Sequence, residues 1–168
     1  GNAYPSIVYF QNEWLFGQLI RNLHYWGANL LMVAVLLHML RVVFTGAYRS
    51  PRRGTWLIGL GLLGCVVIAN VSGYLLPWDQ LAYWATTVWV AMLDYLPLIG
   101  EHLTQTVGSG SEIGQASLHL FYTVHTAVVP LLLLILLPYH FWRIRKAGGL
   151  VIPRSSCQQP QSSLKRVP

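Results

Sequence analysis

Three long apolar runs constrain this chain more than any other feature of its sequence. They lie at about 23–44, 55–76 and 118–142, and each is long enough to cross a bilayer, which takes roughly 20 mostly apolar residues as a helix. Backbone polar groups in hydrocarbon need internal partners, and the runs lack the alternation of barrel strands, so we predict that they are helices. The expected fold is an all-α membrane protein with three transmembrane helices.

The composition excludes an ordinary soluble protein. Hydrophobic residues make up 54% of the 168 residues and charged residues only 10%, whereas soluble domains carry about 25% charged residues. The net charge of +6 would on its own suit nucleic acid. The arginine clusters directly follow apolar runs, however, and are not interleaved with exposed aromatic residues on one face. We therefore predict that the lipid bilayer, and not nucleic acid, surrounds this chain.

The Lys and Arg residues are segregated along the sequence. None lies between Arg53 and Arg143, an interval that holds four of the five acidic residues. The basic clusters at 41–53 and 143–146 mark the inner, cytoplasmic side by the positive-inside rule. The first and third spans are therefore predicted to run from the outer to the inner side, and the second span to return.

The remaining segments are predicted to lie at or beyond the membrane surface. Residues 6–20 and 78–97 mix large aromatic with polar side chains, as interfacial helices do; a frayed terminus is the alternative for the first. The Gly-, Ser- and Thr-rich stretch 100–117 is predicted to be a surface loop. Residues 1–147 then form one transmembrane domain, and 148–168 a flexible basic tail.

Four histidines lie inside the first and third spans, where ionisable residues are rare and usually functional. His24 and His38 are 14 residues apart, and His125 and His140 are 15 apart. At 1.5 Å and about 100° per residue, the two members of each pair are about 21 to 22.5 Å apart along the helix and within roughly 60° of one face. Each span therefore places one imidazole near each membrane surface.

The predicted orientation sorts these histidines into two pairs across the spans. His24 and His125 lie on the outer side, and His38 and His140 on the inner side. Two facing neutral imidazoles suit the two axial positions of a haem iron and leave electron transfer as the chemistry. A structural zinc site fits poorly because it gathers four ligands at one depth. The alternative is that all four are packed, hydrogen-bonded side chains.

Two arginines and two glycines accompany the histidines. Arg21 and Arg41 each lie three residues from a span histidine, where each would reach a haem propionate; snorkelling at the span ends is the alternative. Gly59 and Gly73 are again 14 residues apart and would let the second span approach two flat macrocycles. Close contact between helices explains the glycines equally well.

Several stretches together resemble the N-terminal, haem-carrying half of the cytochrome b family, and most closely its short, split b6 type. The resemblance covers about residues 20–147. The matching stretches are IRNLHYWGANLL at 20–31, LLHMLRVVFTGAYRSPR at 36–52, GYLLPWDQLAYWA at 73–85, LFYTVHT at 120–126 and YHFWRIRK at 139–146.

This resemblance implies two b-type haems in a four-helix bundle, of which this chain carries the last three helices. It implies an outer haem between His24 and His125 and an inner haem between His38 and His140. This agrees with the pairing obtained from the orientation of the spans. No residue of the chain is assigned a catalytic role.

The resemblance also implies roles for residues around the haems. It places Arg21 and Arg41 near propionates, Gly59 and Gly73 facing the haems, and Arg145 near the inner quinone region. It further implies that aromatic residues at the end of the second span are walls of an outer quinol pocket, although an interfacial belt explains them without a ligand. These wall residues are Tyr74, Pro77, Trp78, Tyr83 and Trp84.

The chain departs from the family pattern in three ways. The span expected before Ser6 is absent, so it was lost, was left out of this chain or is supplied by another chain. The cysteine that anchors an additional haem in the split form would lie in that span, so the sequence does not decide whether this haem is bound. Leu120 stands where the family commonly has an Arg, five residues before His125. The Pro-Glu-Trp-Tyr motif that completes quinol oxidation is missing, which implies a separate chain for the C-terminal half.

The implied function is that of the di-haem cytochrome b subunit of a quinol:acceptor oxidoreductase, carrying electrons from an outer quinol-oxidation site to an inner quinone-reduction site with proton translocation. The implied partners are a Rieske iron–sulfur subunit, a C-terminal-half cytochrome b chain and a c-type cytochrome or equivalent acceptor, in a dimeric complex. The expected location is an energy-transducing membrane, either a bacterial inner membrane or a thylakoid.

Two other functions fit the same histidines. One is the di-haem membrane anchor of a dehydrogenase or hydrogenase, which needs no Rieske partner. The other is a structural bundle or histidine-lined channel without haem.

Overall fold

The chain is helical throughout the part that the structure, a computed structural model, describes: residues 3–108 and 113–149. No strand occurs in those two ranges, and the prediction of an all-α fold is confirmed. The elements are α1 (Ala3–Glu13), α2 (Gly17–Phe44), α3 (Arg53–Leu75), α4 (Gln80–Leu93), α5 (Gly100–Gly108), α6 (Gln115–Thr123), a π-helical turn (Val124–Val128) and α7 (Val129–Lys146).

Three helical units are long and apolar enough to cross a membrane. They are α2, α3 and the continuous unit Gln115–Lys146, which joins α6, the π turn and α7. The predicted runs coincide with these units to within a few residues at most ends. Most of each span is exposed within the single chain, as expected for helices that face lipid, bound groups or partner helices.

The segment 6–20 is two helices rather than one. α1 ends at Glu13, and the chain turns through Phe16, whose φ is 64°, before α2 begins at Gly17. A Cβ at Gly17 would overlap the carbonyl oxygen of Phe10, so only glycine lets α1 fold back this closely onto α2. The first span thus begins about six residues before its predicted start.

The turn between α3 and α4 is set by a cap. Trp78 has a φ of 53°, and the Asp79 side chain accepts a 2.8 Å hydrogen bond from the backbone N–H of Ala82, which satisfies one of the free donors at the start of α4. Ala82, Thr86 and Val90 are the buried residues of α4 and recur every four positions. One face of α4 therefore packs inward while the rest of its surface stays exposed.

The prediction of a surface loop over 100–117 was wrong for most of its length. α5 occupies Gly100–Gly108 and α6 begins at Gln115; residues 109–112 lie outside the described residues. Gly100 packs against the backbone carbonyls of Leu93 and Asp94, and the Thr104 hydroxyl donates to the Gly100 carbonyl. Tertiary packing, together with hydroxyls that donate to carbonyls of their own helix, thus outweighs the weak helix propensity of Gly and Thr.

The C-terminal end of the third span closes at two glycines. Gly148 and Gly149 both have positive φ, and their N–H groups bond to the carbonyls of Arg145 and Ile144, which is a helix-terminating arrangement that glycine favours. The predicted tail, 148–168, lies outside the described residues from position 150 onward.

Candidate functional site

The first and third spans face each other across a gap. Within the described residues no Cα of α2 lies within 8 Å of a Cα in Gln115–Lys146, whereas α3 packs against both spans. The span histidines lie at this gap in the two predicted pairs: the rings of His24 and His125 face each other near one end, and His38 and His140 line one cavity near the other. The bundle therefore contains a slot walled by α2 and the third span.

The outer pair is formed by His24 and His125. Their ring centroids are 6.0 Å apart and the rings are perpendicular, at 88°. Metal–imidazole bonds are about 2 Å long, so this separation leaves room for one metal ion bound between two ring nitrogens.

The inner pair, His38 and His140, lines a cavity at the inner ends of the spans. Arg41, Trp56 and Gly59 line the same cavity. The Nδ1 atom of His140 is buried and forms no hydrogen bond of good geometry among the described residues, although the Thr55 backbone lies beside the ring. The cavity beside both histidine rings leaves room for a bound group.

The hydrogen bonds of His125 determine which ring nitrogen is available. Its Nδ1 lies 3.0 Å from the Ala69 carbonyl oxygen and 3.2 Å from the Ser72 hydroxyl oxygen. A carbonyl only accepts, so in the neutral ring Nδ1 carries the proton and Nε2 keeps its lone pair. This is the arrangement that orients metal-bound histidines in proteins, where the second nitrogen donates to a carbonyl.

Both predicted glycines lie against histidine rings. A Cβ at Gly73 would be 2.6 Å from Cε1 of His125, and a Cβ at Gly59 would be 3.4 Å from Cε1 of His140. The first distance is shorter than real side chains show, while the second is ordinary contact. The glycines thus let α3 approach the third span where its histidines lie.

A π-helical turn, Val124–Val128, carries His125. A π turn holds one residue more than an α turn, so it absorbs the extra residue of the 15-residue separation from His140. The third span then presents its histidines with the 14-residue register of His24 and His38. This turn was not predicted, although the unequal spacings of 14 and 15 residues were its signal.

The predicted arginines have different surroundings. Arg21 donates a 2.6 Å hydrogen bond to Oε1 of Gln11 in α1, Arg41 lines the inner cavity, and Arg145 is exposed in the last turn of α7. Arg52, which the sequence analysis did not single out, also lines the cavity and donates to the carbonyls of Ala147 and Gly149 at 2.9 and 2.8 Å. Arg52 therefore fastens the end of the third span to the start of α3.

The predicted pocket walls meet at the turn between α3 and α4. The Trp78 and Tyr83 ring centroids are 6.2 Å apart and those of Tyr83 and Trp84 are 5.4 Å apart, both edge-to-face. Tyr74 is exposed at the end of α3, and Pro77 lies in the turn itself. The structure thus brings Trp78, Tyr83 and Trp84 into one outer aromatic cluster.

The chain is similar to known proteins in both sequence and structure. A family model described as Cytochrome b/b6/petB matches residues 1–148. Cytochrome b6 of Mesostigma viride and cytochrome b6 of Mastigocladus laminosus are each 40% identical over 146 residues, which is 87% of this chain and 68% of the relative. A solved hyperthermophilic respiratory complex III chain superposes with a TM-score of 0.79 at 29% identity, covering 95% of this chain and 44% of that chain.

Proposed function

The chain belongs to the cytochrome b family, and on that premise we propose that it is the di-haem subunit of a quinol-oxidising bc-type complex. Family membership makes it a membrane-embedded electron-transport protein that binds b-type haem. The observation that carries the finer proposal is the slot between α2 and the third span, with one histidine pair near each end.

We assign His24 and His125 as the ligands of an outer haem and His38 and His140 as those of an inner haem. The 6.0 Å separation of the outer rings and the free Nε2 of His125 support the first site. The cavity that His38 and His140 both line supports the second. When bound, the haems supply reversible one-electron transfer.

The chain's own residues hold these groups in a low-dielectric layer and balance their charge. Arg41 in the inner cavity is placed to pair with an inner propionate. Arg21 spends one donor on Gln11, and a guanidinium has five, so it retains donors for an outer propionate. Gly59 and Gly73 leave room for the rings of His140 and His125, which would bind the haems.

Quinol oxidation is placed beside the outer aromatic cluster, with Tyr74 and Pro77 completing the walls. Quinone reduction is placed at the inner side near Arg145. Electrons then cross the membrane between these two sites, and protons are released outside and taken up inside. The proposed partners are a Rieske iron–sulfur subunit, a C-terminal-half cytochrome b chain and a c-type cytochrome or equivalent acceptor.

Histidine variants in the purified complex test the ligand assignment. We expect His38→Ala to remove the inner haem and His24→Ala the outer haem, each leaving about one b haem per chain in the reduced-minus-oxidised spectrum. His102→Ala is the matched control, because this histidine lies in α5, outside the spans. Unchanged haem content in His38→Ala would sink the proposal.

The composition of the same complex tests the partners. A Rieske subunit is expected to co-purify with the chain and to show its own iron–sulfur signal. A dehydrogenase or hydrogenase catalytic subunit in its place would assign the chain to the membrane anchors of those enzymes.

A further inference from the structure

We propose that Ser72 is a positioning residue for His125 and that its hydroxyl lowers the reduction potential of the outer haem. The proposal rests on the proposed function, which makes His125 a haem ligand. Ser72 is one residue before Gly73 on α3 and is 2% exposed, so its contacts are sheltered from water.

The direction of the hydrogen bonds around Ser72 follows from distance. Its Oγ lies 2.6 Å from the Ile68 carbonyl oxygen and 3.2 Å from that of Ala69. Both carbonyls only accept, so the single hydroxyl hydrogen goes to the closer one. The lone pairs of Oγ are then free to accept from Nδ1 of His125, 3.2 Å away.

The Nδ1–H of His125 is consequently shared between two acceptors on α3. These are the Ala69 carbonyl at 3.0 Å and the Ser72 hydroxyl at 3.2 Å. Three-centre bonds, in which one N–H serves two acceptors, are a regular feature of proteins. The two acceptors set the ring plane from one side, while Gly73 lets α3 come close enough for them to reach.

An acceptor on the distal N–H makes an imidazole more basic and a stronger electron donor to its metal. Stronger donation stabilises the oxidised iron over the reduced iron and lowers the potential, since hydrogen bonding to the ligands is one of the protein's means of tuning a haem. Taking up one electron there forms and breaks no bond in the protein. The ring of His140 also has a backbone neighbour, Thr55, but the position before Gly59 is Ile58, which has no hydroxyl, so the effect of Ser72 belongs to the outer site alone.

The test is a potentiometric titration of both b haems in the intact complex. We expect Ser72→Ala to keep both haems, because the Ala69 carbonyl still holds His125, and to raise the outer midpoint potential. The expected shift is about threefold to tenfold in the reduction equilibrium constant, or about 30 to 60 mV for one electron. The inner potential is expected to stay constant, and Ser72→Thr, which keeps the hydroxyl, to restore the wild-type value.

Thr86→Ala is the matched control. Thr86 is also fully buried and donates to its own helix, at the Ala82 carbonyl, but it has no described contact with a span histidine. Loss of the outer haem in Ser72→Ala with retention in Ser72→Thr also supports the positioning role. If the wild-type complex shows two haems, three results overturn the proposal: no shift of the outer potential in Ser72→Ala, equal shifts of both haem potentials, or the same shift in Thr86→Ala. A wild-type complex without two haems overturns the proposed function instead.

Discussion

The outer and inner histidine pairs are built from the same two spans, yet the chain holds them differently. At the outer site, His125 has two acceptors at Nδ1 and lies against Gly73 at a distance that excludes any side chain. At the inner site, His140 has the Thr55 backbone beside its ring but no bonded hydroxyl among the described residues, a looser contact with Gly59 and a cavity beside it. The outer ligand is thus held by more contacts with the protein than the inner ligand is.

The largest effect is expected from a change of register between the sites. One alanine inserted after Leu133 turns His140 by about 100° relative to His125, so we expect loss of the inner haem and retention of the outer one. Deleting Ala127 instead removes the extra residue of the π turn and leaves a 14-residue separation, so both haems are expected to remain. The b-haem content per chain measures both variants, and an inner haem that survives the insertion would contradict the assigned register.

The next largest difference in haem content between the two sites is expected when Gly73 or Gly59 is replaced by alanine. The methyl group of Gly73→Ala would lie 2.6 Å from the His125 ring, whereas that of Gly59→Ala would lie 3.4 Å from the His140 ring. Overpacking of this kind costs about 1 to 3 kcal/mol, so outer haem content is expected to fall in Gly73→Ala while Gly59→Ala stays close to wild type. Separate titration of the two haems measures the result, and the reverse ranking would remove the distinction between the sites.

The smallest effect is expected when the hydrogen bonds from Arg52 to the end of the third span are removed. Replacing it in Arg52→Gln removes the charged donor that holds the Ala147 and Gly149 carbonyls, a loss of about 1 to 2 kcal/mol for a half-buried group. The inner haem is then expected to dissociate at a lower temperature, while the outer haem is unaffected. The absorbance of each haem, recorded during heating, measures this. Arg53→Gln, at an exposed neighbouring position, is the control, and equal loss from both variants would assign the effect to charge alone.

Much of the architecture could be predicted because the membrane imposes strict rules. Length and apolarity identified the three spans, and the family, the fold class and the membrane location are confirmed. The predicted orientation of the spans paired each histidine of the first span with one of the third. The structure places His24 beside His125, and His38 in the same cavity as His140. The haem ligands and the quinone-site walls stay predictions, as do the limits of the domain at 147 and of the tail.

The errors and omissions have a common cause. The stretch at 100–108 was expected to be a loop because Gly and Thr disfavour helices in isolation, but Gly100 is where two backbones meet. Arg52 had no nearby acid to mark it, since its partners are backbone carbonyls 95 and 97 residues away. Composition carries no record of such long-range contacts.

The sequence by itself determined that this chain crosses a membrane three times with four histidines at two depths, because apolar length and helical period are local properties. Only the tertiary structure decided how each histidine is held. The shared hydrogen bond from His125 to α3 and the hydrogen bonds from Arg52 to Ala147 and Gly149 depend on groups far apart in the chain that packing brings within 3.2 Å or less. Hydrogen bonds act only over such distances, so tuning of the two sites is a property of the fold.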